Sequence, residues 1–146
     1  MISIQLESNK VDLSNIDGKW ITSISKNILI DHSHNQANIV IIFSTDTHLR
    51  DLKKEYFNQD VYTDTISFNL EDSQEPIDGE IYISLDRVTE NAQIFEQEFE
   101  QEYKRVIIHS ILHLLGFDDR SKEEKSKMTK LEDYYLFPII ETNIAK

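Results

Sequence analysis

Residues 106–115 restrict the possible folds of this chain more than any other segment. They read VIIHSILHLL and are apolar except at His109, Ser110 and His113. A helix of this composition has no broad polar face, and such helices are usually buried in the middle of a protein. Residues 103–115 are therefore predicted to form a central buried helix.

The composition predicts one domain of ordinary globular type, residues 1–146. The chain is 39% hydrophobic and 29% charged, and it contains no cysteine, which excludes disulfides and thiolate metal sites. The first residues, MISIQLESNKVD, lack the basic and apolar regions of a secretory signal. No apolar run approaches the roughly 18 residues that span a membrane. We expect a cytoplasmic protein with no membrane partner.

The net charge of −12 argues against a general nucleic-acid binder, and binding to DNA is not expected. Residues 120–130 (RSKEEKSKMTK) are an exception, because five basic side chains there outnumber two acidic ones. A basic run of this length is more often a solvated helix face than a binding surface, and we interpret it in that way.

Hydrophobic periodicity predicts an α+β fold, in which a small mixed sheet of about four strands packs with helices around the central one. A polar loop is expected at residues 71–79, and Ser121 with Glu124 has the spacing of a capping box that begins the last helix. The predicted strands are residues 2–6, 38–44, 65–70 and 80–85, and the predicted helices are residues 12–31, 46–57, 89–102 and 103–115.

His109 and His113 are the strongest candidates for a functional site. Residues four apart lie on the same helix face, so both imidazoles can bind one ion. Gly116 can adopt the left-handed conformation that ends a helix, which lets Phe117 return to the core and brings Asp118 or Asp119 towards the histidines. The pattern H-x3-H-x5-D predicts a zinc site with Asp119 as third ligand and a fourth position for water, as in catalytic zinc sites.

Two other interpretations of the pair remain open. A histidine on an apolar helix is usually a core residue bonded to a neighbour, although two such residues would each need a partner. A zinc peptidase of the HExxH type is a minor possibility, because Ser110 stands where that motif has its glutamate. His32 and His34 are interpreted as a chance pair in a polar loop.

Three segments resemble the YbeY endoribonucleases, a family of bacterial rRNA maturation factors. Residues 109–119 (HSILHLLGFDD) resemble the family signature HGxLHLxGYDH. Residues 63–70 (TDTISFNL) are similar to the family's PTDVLSFPL, and residues 79–92 (GEIYISLDRVTENA) to its GDIVIS segment and the helix that follows. The resemblance covers residues from about 49 to 135.

The resemblance implies a zinc-dependent endoribonuclease of 16S rRNA 3′-end maturation and ribosome quality control. Its partners would be rRNA and the ribosome or ribosomal proteins. His109 and His113 match the first two of three family histidine ligands, and Asp119 stands in place of the third. A carboxylate can bind zinc, but it also suits other divalent metals.

Two departures from the family pattern bear on the chemistry. A family arginine thought to assist at phosphate aligns with Phe57, and a phenyl ring cannot bind phosphate in that way. The candidates to replace it are Arg50, Lys53, Lys54 and Arg120.

The family's aspartate in GDI is Glu80 here. Glu80 and Asp118 are predicted as catalytic residues that orient the water or a ligand histidine. The alternative function is a non-catalytic ribosome-assembly factor in which the metal is structural.

Overall fold

The computed structural model describes residues 1–70 and 76–137, which form four strands and five helices. The strands are β1 (Ile2–Ser8), β2 (Ala37–Ser44), β3 (Thr65–Asn69) and β4 (Ile77–Ser84). The helices are α1 (Gly18–Asp31), α2 (Asp46–Phe57), α3 (Leu85–Ile94), α4 (Phe99–Leu114) and α5 (Lys122–Leu136).

The strands form one mixed sheet in the order β1-β2-β4-β3, as the predicted α+β class requires. β1, β2 and β4 are parallel, and β3 runs antiparallel to β4 at the edge of the sheet. Thr65 of β3 is opposite Ile83 of β4, and Phe68 is opposite Glu80. Residues opposite each other in a sheet share a face, so this register decides which β3 side chains face each layer of helices.

Helix α4 lies against one face of the sheet and is largely buried, as its composition predicts. Ile107, Ile108 and Ile111 are fully buried in the core. Gly79 of β4 faces this helix, and a Cβ placed there would be 2.9 Å from Cδ1 of Leu114. The absence of a side chain at Gly79 therefore allows α4 to approach the sheet closely beside His113.

The first helix starts later than predicted, at Gly18 in place of residue 12. The Asp17 side chain caps it by accepting a hydrogen bond from the backbone N–H of Trp20. Asp12 accepts hydrogen bonds from the backbone and hydroxyl of Ser14, which favours a turn over a helix. The apolar periodicity led to a predicted helix that included residues 12–17, but polar side chains in this segment form local hydrogen bonds that favour a turn.

The long helical region after residue 85 is two helices, and the predicted boundary between residues 102 and 103 was wrong. α3 ends at Ile94, and α4 begins at Phe99. Between them Glu96 has a φ of 54°, which a helix cannot accommodate.

The predicted loop at residues 71–79 was wrong at its end, because β4 already begins at Ile77. Residues 71–75 lie outside the described part of the chain. The capping box is confirmed: the side chain of Ser121 bonds the N–H of Glu124, and the side chain of Glu124 bonds the N–H of Ser121. In residues 1–70 and 76–137, no helix is both long and apolar enough to span a membrane.

Candidate functional site

His109 and His113 lie on one side of α4, facing a groove beside the edge strand β3. Their rings are parallel to within 4°, with centroids 6.4 Å apart. The His109 side chain is 29% exposed, whereas His113 is an exposed residue. The groove has a volume of about 190 Å³ and is lined by Lys53, Phe57, Thr65, Ile66, Ser67, His109 and His113.

Each histidine has a protein acceptor at Nδ1. His109 Nδ1 is 2.6 Å from Oε2 of Glu132, and His113 Nδ1 is 3.2 Å from the carbonyl oxygen of Phe117. A carbonyl or an ionised carboxylate can only accept, so in each ring Nδ1 carries the proton and neutral imidazole keeps a lone pair on Nε2. This is the tautomer that binds a metal through Nε2.

The turn after α4 carries Asp119 towards the pair. Gly116 has a φ of 101°; its N–H bonds the carbonyl of His113, and the N–H of Phe117 bonds that of Leu112. These two bonds define a Schellman motif, the ending that the glycine predicts. Phe117 packs partly buried against the core, and Oδ2 of Asp119 lies 3.8 Å from Nε2 of His109.

The three predicted ligands are brought to one region, but they do not converge on one point. Within the described ranges 1–70 and 76–137, no three His, Cys, Asp or Glu side chains are grouped closely enough to hold a metal ion as they stand. His109 and Asp119 are neighbours, while the His113 ring is displaced along the helix by one turn. By donor type and tautomer the set fits a divalent ion, since two neutral imidazoles and a carboxylate are ordinary zinc ligands.

An acidic pocket lies on the other side of His109. It has a volume of about 270 Å³ and is lined by Asp64, Thr65, Glu102, Arg105, Val106, His109, Asp119 and Glu132. The hydrogen bond that His109 donates to Glu132 raises the pKa of His109 above its ordinary value, against the opposite effect of burial. Burial raises the pKa of Asp64 and of Glu102. A positive charge on His109 or on a bound cation would be stabilised here.

The two predicted catalytic carboxylates lie in different places. Oδ1 of Asp118 accepts the N–H of Asp119 at 2.8 Å and Oδ2 pairs with Nε of Arg120 at 2.7 Å. The hydrogen bond from Asp119 and the guanidinium of Arg120 help to lower the pKa of Asp118. Asp118 therefore holds the turn that carries Asp119.

Glu80, contrary to the prediction, does not share the groove with the histidines. Successive residues of a strand point to opposite faces, and its neighbour Gly79 faces α4. Glu80 accepts a hydrogen bond from the hydroxyl of Tyr82, whose ring contacts His48 of α2. Glu80 is therefore on the face of the sheet that α2 covers.

Of the four candidates to replace the family arginine, Lys53 lines the groove with both histidines. Arg50 and Lys54 pair with Asp60, and Arg120 pairs with Asp118. Phe57 also lines the groove, so the position that aligns with the family arginine is part of the site.

The sequence reasoning missed Glu132, which is nearly buried and bonds both His109 and Arg105. It follows His109 by 23 residues, on a different helix. In the sequence the one signal was a glutamate on the inward stripe of α5, between Met128 and Tyr135, which are both buried.

A mixed sheet with a buried helix that presents two histidines to an edge groove defines a small α+β protein with a paired-histidine site. The family model described as endoribonuclease YbeY matches residues 2–139. The endoribonuclease YbeY of Chlorobium limicola is 42% identical over 106 residues, 73% of each chain. That of Amoebophilus asiaticus is 37% identical over 118 residues, 81% of this chain and 80% of the relative.

A solved structure has the same fold. The solution structure of TM1509 from Thermotoga maritima matches with a TM-score of 0.61 and 28% identity, covering 98% of this chain and 93% of that one. The resemblance drawn from the sequence motifs is confirmed: this chain belongs to the YbeY endoribonuclease family.

Proposed function

We propose that this protein is a metal-dependent endoribonuclease that cleaves single-stranded RNA. The observation that carries the proposal is the pair of imidazoles at one groove whose Nδ1 atoms are both engaged, so that each neutral ring keeps its lone pair on Nε2. Membership of a family whose relatives are named endoribonucleases supports RNA as the substrate class. Maturation of the 16S rRNA 3′ end and ribosome quality control, both cytoplasmic, are the proposed physiological roles.

His109, His113 and Asp119 are the proposed ligands of one divalent ion, zinc in the first instance. Such an ion, when bound, lowers the pKa of a ligated water and neutralises charge on a phosphate. His113 is exposed, and binding one ion together with His109 and Asp119 requires its ring to turn towards them. The carboxylate in place of a third imidazole makes the site less selective for zinc over manganese or iron.

The protein's own groups have separate tasks in this proposal. Glu132 holds the His109 ring, the Phe117 carbonyl favours the His113 tautomer with its proton on Nδ1, and Asp118 supports the turn that carries Asp119. Lys53 supplies a positive charge to the lining of the groove. An ammonium there would face a phosphate oxygen of an RNA strand lying along the groove.

A second candidate function is a non-catalytic ribosome-assembly factor with a structural metal. Two observations favour it: the net charge of −12, which repels RNA, and the phenylalanine where the family pattern has an arginine. An acidic surface also suits basic ribosomal proteins as partners.

One experiment separates these functions. Protein loaded with zinc is incubated with a single-stranded 16S rRNA precursor, beside His113→Ala and the control His34→Ala. We expect cleavage that chelation and His113→Ala abolish and that His34→Ala leaves unchanged. Ribosome association without cleavage in the wild type would favour the assembly factor, and cleavage that survives both chelation and His113→Ala would refute the metal-dependent mechanism.

A further inference from the structure

Three aromatic residues pack together beside the groove, and one of them, Phe57, lines it. Phe57 lines the groove and is 43% exposed, and its ring stacks on Phe68 with centroids 5.9 Å apart and planes at 22°. Tyr56 is 61% exposed and meets the edge of the same Phe68 ring at 5.4 Å. We call Tyr56, Phe57 and Phe68 the aromatic wall.

The ammonium of Lys53 lies over the exposed ring of Phe57. Nζ of Lys53, one helical turn before Phe57, lies 4.6 Å from the centroid of the Phe57 ring. Lys53 also lines the groove that both histidines line. A base that stacks on the Phe57 ring takes the place of this ammonium, and the lysine side chain, moved off the ring, then meets the phosphate of the same nucleotide.

The charge of the protein makes stacking more important than it is for a basic protein. With a net charge of −12 the chain gains little from general attraction to phosphates. Stacking of a base on an aromatic side chain does not depend on net charge and contributes about 5- to 150-fold in affinity per base.

We propose that Phe57, the member of the aromatic wall that lines the groove, is a base-stacking subsite for single-stranded RNA. One unpaired base stacks on the ring of Phe57, and the phosphate beside it lies between Lys53 and the histidine pair. The inference rests on the proposed function, since it assigns how that same groove holds its RNA substrate. In this inference Phe57 makes a contact with a base at the position where the family arginine is thought to contact a phosphate.

Binding is measured by fluorescence anisotropy with a labelled single-stranded oligonucleotide and chelator-treated protein, so that the RNA stays intact. We expect Phe57→Leu, which keeps an apolar side chain without a π face, to weaken binding about tenfold. Phe57→Trp should bind at least as well as the wild type. The matched control is Phe95→Leu, at a phenylalanine that is 59% exposed after α3, and it should bind as the wild type does.

Two further arms test stacking itself. An oligonucleotide whose bases are replaced by abasic residues should bind Phe57→Leu and wild type equally. The Phe57→Leu loss should be similar at about 50 mM and about 200 mM salt, whereas the loss in Lys53→Met should shrink at the higher concentration. Equal binding of intact RNA by Phe57→Leu and wild type, or a Phe57→Leu loss that persists with abasic RNA, would overturn the subsite.

The same variants distinguish this inference from the proposed function. Cleavage is assayed separately with metal restored. If the wild type binds RNA through Phe57 but does not cleave it, the subsite stands and the nuclease is refuted. If the wild type cleaves RNA and Phe57→Leu binds it with unchanged affinity, the nuclease stands and the subsite is refuted.

Discussion

Glu132 of α5 and His109 of α4 are joined by a 2.6 Å hydrogen bond between Oε2 and Nδ1. The same carboxylate receives a second hydrogen bond, from Arg105, at 3.1 Å. The arginine fixes Glu132, and Glu132 fixes the plane and the tautomer of His109. A ligand histidine held by a buried carboxylate is a recurring feature of metal sites.

Glu132→Gln tests this relationship. The amide keeps the size of the side chain but removes the charge, so we expect the pKa of His109 to fall, which NMR titration of the metal-free protein measures. We also expect divalent-ion affinity to fall about 10- to 100-fold by calorimetry. Asp133→Asn is the matched control, because Asp133 pairs with Arg105. Equal effects of the two substitutions would mean that Glu132 acts only through Arg105.

The raised pKa of His109 predicts a pH dependence of stability in the metal-free protein. Because the folded-state pKa lies above the ordinary 6.5, the Glu132–His109 interaction contributes fully below pH 6.5 and is lost as the pH rises through the folded-state pKa. Urea unfolding across this range should show the decline in wild type and a flatter profile in Glu132→Gln. Identical profiles would argue against a charged His109.

Glu102→Gln is expected to stabilise the protein near neutral pH. Burial raises the pKa of Glu102, and the nearby carboxylates of Asp64 and Glu132 raise it further. Glu102 therefore binds a proton more readily in the folded state than in the unfolded chain. At pH values above its folded-state pKa, the charged carboxylate lowers the stability of the fold. Removing the charge should add on the order of 1 kcal/mol, or roughly 3 °C in Tm. A lower Tm would show that Glu102 serves mainly as a partner of Arg105.

Gly79→Ala tests the close approach of α4 to β4. The added methyl would meet Leu114 at 2.9 Å and the backbone oxygen of Phe68 at 3.3 Å, so we expect a loss of about 1–3 kcal/mol in urea unfolding. The double variant Gly79→Ala, Leu114→Ala should lose less stability than the sum of the two single-variant losses, by at least about 0.5 kcal/mol, because the two residues share this contact. Full additivity would mean that the Phe68 backbone, and not Leu114, limits the space.

Gly116→Ala should strain the turn that positions Asp119. A Cβ at Gly116 meets no atom within 4 Å, so its cost comes from the φ of 101° alone and should be about 1–2 kcal/mol. Asn tolerates positive φ better, and Gly116→Asn should cost less. We expect calorimetry to show weaker metal binding in Gly116→Ala. Unchanged metal affinity would indicate that Asp119 is not a ligand.

Local pattern was enough to predict much of this protein. The composition of residues 103–115 predicted a buried helix, the capping box located the start of α5, and Gly116 predicted the turn after α4. These features depend on side chains within a few residues of one another, and their periodicity and backbone preferences can be seen without the fold.

Tertiary structure decided which side chains surround the histidines. The packing of α5 on α4 brings Glu132 to His109, the alternation of β4 turns Glu80 away, and α2 brings Lys53 and Phe57 to the groove that the pair lines. Such neighbours come from distant segments, and their contacts depend on how helices and strands pack in three dimensions. The sequence alone therefore determined which residues could bind a metal, and the packed fold determined which other residues hold and surround them.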